Sequence, residues 1–135
     1  MAVFDWNAYL TLSEELSARS DEAALRTAIS RAYYFVYQTA KKRDAVKEYR
    51  FANDGKSHDE LWELYERNSP PECKRLAFVG KRLKLRRVNA DYSAYYPRIG
   101  EDVTTALRDA KDCAAILVAL DPKYPEPVPK IWSAK

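Results

Sequence analysis

Only three glycines occur in this 135-residue chain, and its seven prolines stand at segment boundaries or in the last stretch. Long uninterrupted segments remain between them. Their apolar residues recur at three- and four-residue intervals, the period of an α-helix and not of a strand. The chain is therefore predicted to be all-α, an up-and-down bundle of four to five helices with an extended proline-rich C-terminal tail. Five helices can be placed. The first spans about Trp6–Ala18, with Leu10, Leu12 and Leu16 as its apolar contributors. The second starts after Ser20, an N-cap followed by Asp21 and Glu22 in the positive end of the dipole, and runs to about Glu48. Its core face is Leu25, Ala28, Ile29, Ala32, Val36 and Ala40. After the polar link Asn53–Lys56, a capping box of Ser57 and Glu60 opens the third helix, which reaches about Glu66. Ser69 caps the fourth, with Pro70 at its first position, and that helix extends to about Tyr92. Pro97 and Gly100 punctuate, and the fifth runs from Glu101 to Leu120 on a stripe of Val103, Ala106, Leu107, Ala110, Ala114 and Leu117.

This length predicts one domain, the bundle over residues 1–120 and the tail over 121–135, with a core that needs no staples. Four prolines keep the tail from being helical, and Ile131 and Trp132 are its candidate anchors, on the bundle or on a second subunit. Hydrophobic residues make up 47% of the chain but never form a run of about 18, so no membrane span is expected. The N-terminus lacks the basic and apolar regions of a signal peptide, and a cytoplasmic location is expected. Cys73 and Cys113 match no metal spacing and read as free buried thiols; with His58 the single histidine, neither a metal nor a cofactor is expected.

The net charge of +3 is unevenly spread. Lys74, Arg75, Lys81, Arg82, Lys84, Arg86 and Arg87 follow one another without an intervening acid, whereas the first 22 residues hold five acids against Arg19. A basic stripe on one helix suits a phosphate backbone, and equally suits a solvated face. On the fourth helix Leu76, Val79, Leu83 and Ala90 define a core stripe into which Arg87 also falls. A bare charge there is too costly, so Arg87 must pair across the bundle or open into a groove, and Asp91 one turn on can hold it. A structural salt bridge is one role; a guanidinium aimed at a ligand phosphate is the other. On the second helix Tyr33, Tyr34 and Tyr37 diverge around the axis. Rings that are not core could stack on bases.

Ser30-Arg31-Ala32-Tyr33-Tyr34 and Arg87-Val88-Asn89-Ala90-Asp91-Tyr92 together resemble the two signature blocks of the HEPN family, small helical bundles of toxin–antitoxin, defence and RNA-processing systems. Lys56-Ser57-His58 resembles the start of the helix between those blocks, and the likeness covers residues 5–120. It implies a homodimer whose grooves meet RNA or a nucleotide, with a nucleotidyltransferase or antitoxin as a possible cognate partner. Active members are metal-independent ribonucleases with an arginine followed, after four to six residues, by a histidine. Here the position five after Arg87 is Tyr92, and no histidine follows. Imidazole shuttles protons near neutral pH, while a tyrosine, with a pKa near ~10, is a poor base.

The expectation is thus a dimeric HEPN-like module with a degenerate nuclease motif, in which Arg31, Tyr34, Tyr37, Arg86, Asn89 and Asp91 contact RNA, a nucleotide or a partner protein. The alternatives are an endoribonuclease toxin using Arg87 with Tyr92 or His58, and a pure dimeric scaffold.

Overall fold

The computed structural model describes residues 2–51 and 56–127. Five α-helices make up the bundle: α1 (Asn7–Ser17), α2 (Glu22–Lys41), α3 (Ser57–Glu66), α4 (Pro71–Tyr92) and α5 (Ile99–Ala119), with a one-turn 3-10 helix at Asp44–Val46. There is no strand among the described residues, and no helix among them is long and apolar enough to cross a membrane. Helix α2 is central, packed on α1, α4 and α5, and α3 lies against α4. Its long row of small and aromatic side chains explains that place. Ala28, Ile29, Ala32, Tyr33, Phe35, Val36, Tyr37 and Ala40 are all buried, so α2 contacts neighbours around most of its circumference.

The helix ends differ from expectation in ways that expose long-range causes. Helix α2 stops at Lys41, short of Glu48, although no glycine or proline follows. Arg43 takes an extended backbone, φ −58° and ψ 142°, and sends its guanidinium to the C-terminus of α5. There it donates to the carbonyls of Leu117 (2.5 Å), Leu120 (3.0 Å), Asp121 (3.0 Å) and Tyr124 (3.0 Å). They lie at or just past the end of α5, the negative end of its dipole, so one cation serves several of them at once. Arg26 does the same for α4, donating to the carbonyls of Ala90 (2.9 Å) and Ser93 (2.6 Å).

At the N-termini, the cap of α2 is Asp21 and not Ser20, and Lys56 takes the cap position of α3. Ser57 is therefore the first helical residue, displaced from the place where a capping box acts, and its Oγ accepts from the Tyr37 hydroxyl at 3.4 Å. The proline register of α4 is one residue later than expected, with Pro70 as cap and Pro71 first. On α1, Leu12 is exposed, and the buried position is Ser13, whose hydroxyl donates to the Ala28 carbonyl at 2.6 Å.

The described start of the tail folds back onto the bundle. The Asn68 side chain brackets Glu126, accepting from its N–H at 2.8 Å and donating to its carbonyl at 3.1 Å, while Pro125 is buried. Ile131 and Trp132 lie outside the described residues. Both cysteines are unpaired and buried, and burial pushes the Cys113 thiol up to about 12.

Candidate functional site

Arg87 occupies the core stripe of α4 with its side chain only 11% exposed. Its guanidinium carbon lies 5.5 Å from the Tyr33 ring centre and 5.4 Å from that of Tyr34, and Nη1 donates to Asp91 at 3.4 Å. Arg31, on α2, approaches the same Tyr34 ring at 5.3 Å and the Tyr9 ring of α1 at 4.7 Å. Aromatic faces attract such cations, more so when water is displaced. Yet Arg31 Nε and Arg87 Nε are the two buried side-chain polar atoms that lack a hydrogen-bond partner among the described residues. Buried donors are normally satisfied, and leaving one unmet costs about 1–3 kcal/mol. Both arginines line one open cleft of about 340 Å³, with Trp6, Tyr9, Tyr34, Gln38, Asp91 and Tyr92 as the other walls. Two guanidinium groups lining one aromatic cleft form an arrangement that suits an oxyanion joined to a flat ring.

Two depressions elsewhere are larger, about 710 Å³ between α1, α2 and α5 and about 520 Å³ between α2 and α5. Size does not make them better sites. Arg19 and Lys111 in the first are paired to Asp21 and Glu14, Arg43 in the second is engaged by four carbonyls, and Arg108 and Lys42 are exposed cations at their surfaces. Neither holds a buried donor without a partner.

Behind Arg87 a second layer forms from α2 and α3. Trp62 Nε1 donates to the Tyr33 hydroxyl at 3.2 Å, and that hydroxyl lies 2.7 Å from His58 Nδ1. Burial raises the Tyr33 pKa well above its ordinary range, so the phenol keeps its proton beside Nδ1. The His58 ring stacks on Tyr37 with centroids 4.0 Å apart. Burial first, and then the nearby cations Arg87, Lys84 and Lys41, hold His58 down to about 4. At neutral pH it is an uncharged, hydrogen-bonded ring.

A pH dependence follows. An unfolded chain takes up a proton near pH 6.5 that the folded chain refuses until about 4. Because the folded pKa is depressed, the stabilisation is complete above about pH 6.5 and is lost as pH falls through about 4. With the ring about half-buried, solvent screening reduces the expected contribution to roughly 1 kcal/mol. Between pH 7 and 4.5 the wild type should lose that much more stability than His58→Gln in urea titrations. Equal losses would mean that the folded protein protonates His58 as readily as the unfolded chain does.

Of the sequence-predicted residues, Arg31, Tyr34, Arg87, Asp91 and Tyr92 meet in the cleft, Tyr92 at its rim with 76% of its surface exposed. Tyr37 and His58 stand together in the layer behind. Arg86 is elsewhere: with Arg82 it binds the buried Asp109 of α5, Nη1 to Oδ2 at 3.0 Å, so its role is structural. Asn89 is exposed outside the cleft, accepting from the Ser93 hydroxyl at 3.3 Å. Much of the basic stripe is likewise engaged within the chain, Lys81 by Glu66 (2.6 Å), Lys84 by Asp59 (2.6 Å) and Lys74 by the Glu66 carbonyl (2.9 Å). Sequence reasoning named Tyr33 only as one of three diverging rings, although it joins Trp62, His58 and Arg87, and it passed over Trp6 and Tyr9 as site residues. The latter two are spaced i, i+3 on one side of α1, a pattern that could have flagged them.

No family model, curated protein or solved structure matches the chain.

Proposed function

We propose that this protein is a HEPN-like module, acting as a dimer, whose cleft between α1, α2 and α4 holds a phosphate of RNA or of a nucleotide. Arg31 and Arg87 supply the donors, and Tyr34, Tyr92 and Trp6 give surfaces on which a base stacks. The observation that carries this reading is the pair of buried guanidinium Nε groups without acceptors on one aromatic cleft. A phosphate in the cleft meets the two guanidinium groups that line it through charge-assisted bonds. A defence, toxin–antitoxin or RNA-processing setting in the cytoplasm, with a nucleotidyltransferase or antitoxin as partner, belongs to the same proposal.

Cleavage by Arg87 with Tyr92 or His58 is the competing reading, and the closeness of His58 to Arg87 favours it. Two features support binding instead. His58 Nδ1 is occupied by Tyr33, and an imidazole held to about 4 is a weak base for a 2′-hydroxyl.

Purified protein with labelled single-stranded RNA, in metal-free buffer, tests both. Wild-type protein is expected to retain intact RNA with steep salt dependence, as counterion release requires. Arg87→Ala should weaken retention at least about tenfold, the worth of one charge-assisted bond, with the helical circular dichroism unchanged. Equal retention by both proteins would overturn the cleft. RNA breakdown lost in Arg87→Ala would make the protein a nuclease.

A further inference from the structure

Helix α4 has a second face, opposite its core stripe. Phe78, Leu85 and Tyr92 are 60%, 68% and 76% exposed and fall seven residues apart. Seven residues are nearly two full turns, so the three side chains form one line about 21 Å long. Isolated exposed apolar residues are ordinary, but a heptad line of large ones is the pattern by which one helix seats on another.

We propose that this line is the seam on which a second copy of the chain docks, with the two α4 helices antiparallel and the two-fold axis at Leu85. The inference rests on the dimeric reading above and identifies its interface. Charge decides the occupant. The cations flanking the line are already engaged within the chain: Lys81 by Glu66, and Arg82 by Asp109, which it shares with Arg86. The seam therefore neither calls for an acidic partner helix nor strongly repels its own copy. Direction follows from residue pairing. Antiparallel about Leu85, Phe78 meets Tyr92, Lys81 meets Asn89 and Arg82 meets Val88, so that apolar meets apolar and cations meet neutral groups. Parallel pairing would set Lys81 on Lys81 and Arg82 on Arg82. A face complementary to itself in this way is what a two-fold contact needs. Since Tyr92 is also the rim of the cleft, the seam carries Phe78 of one copy to the cleft mouth of the other.

Sedimentation of the full chain over a concentration series gives the test. The wild type should dimerise, and Leu85→Asp should raise the dissociation constant at least about tenfold. Val118→Asp, at an 88% exposed position on α5, should leave it unchanged. Under oxidising conditions Leu85→Cys should form a disulfide-linked dimer. Phe78→Cys should cross-link when mixed with Tyr92→Cys but not with itself. Both native cysteines are buried and do not compete. A wild-type dimer unaffected by Leu85→Asp overturns the seam and leaves the dimeric reading standing. A monomer at every concentration overturns both, and Phe78→Cys cross-linking with itself overturns the antiparallel arrangement. RNA retention, measured on the wild type and on Leu85→Asp, which leaves every cleft residue in place, reports separately on the cleft.

Discussion

Asp109→Ala is expected to lower the free energy of unfolding by about 3 kcal/mol. Only 3% of the residue is exposed, and its carboxylate is the meeting point of α4 and α5. It accepts from Arg82 Nε at 3.1 Å and Nη2 at 2.9 Å, and from Arg86 Nη1 at 3.0 Å. Its loss leaves the Arg86 side chain, 19% exposed, with Asp102 at 3.9 Å as its remaining ionic partner. Breaking a buried pair on one side costs about 3–5 kcal/mol, because the surviving charge is stranded. The lower end applies here: Arg82 is 38% exposed and can turn to water. Urea titration at unchanged slope measures the loss. The double variant Asp109→Leu with Arg86→Met should recover most of it, since an apolar pair of similar size leaves no stranded charge. A single-variant loss under about 1 kcal/mol would mean that solvent fully replaces the carboxylate.

Gly80→Val should cost a comparable amount, about 3 kcal/mol. A Cβ at Gly80 would stand 2.7–2.8 Å from three atoms of the Trp62 indole. That ring cannot yield cheaply. It is fully buried, and its Nε1 is tied to the Tyr33 hydroxyl, which in turn holds His58. Any shift of Trp62 therefore propagates to the layer behind Arg87. Alanine at position 80 gains about 1 kcal/mol of helix propensity against the same clash, so its loss should be smaller. Gly100 is the internal control: a Cβ there meets nothing within 4 Å, and Gly100→Ala should be neutral or slightly stabilising. Equal effects at the two glycines in urea titrations would rule out the Trp62 contact as the cause.

Both effects act through residues whose importance only partly showed in the sequence. Gly80 lies inside a helical pattern, where a lone glycine signals weak propensity; that it makes room for an indole depends on where α3 crosses α4. Arg86 and Arg87 are neighbours in a basic run, so their types and spacing alone favoured a shared role. About 100° of helical rotation separates them, and the bundle presents one to α5 and the other to α2. Asp109 interrupts the apolar stripe of α5, and nothing local names its partners, 23 and 27 residues earlier. Tyr33 looked like one ring among three until α3 brought Trp62 and His58 against it.

By itself, the sequence determined where the helices lie and most of their buried faces, because apolar periodicity and the placement of glycine and proline act within a few turns. It likewise placed Arg87 in a core stripe with Asp91 beside it, an intrahelical relation set by four-residue spacing. The tertiary structure alone decided where α2 ends, since Arg43 leaves the helix to bind carbonyls 74 to 81 residues away. It alone decided which cations the buried Asp109 holds, that the single imidazole is kept neutral, and which two guanidinium groups line one cleft. Spacing along a helix tells which side chains share a face; only packing tells what that face meets.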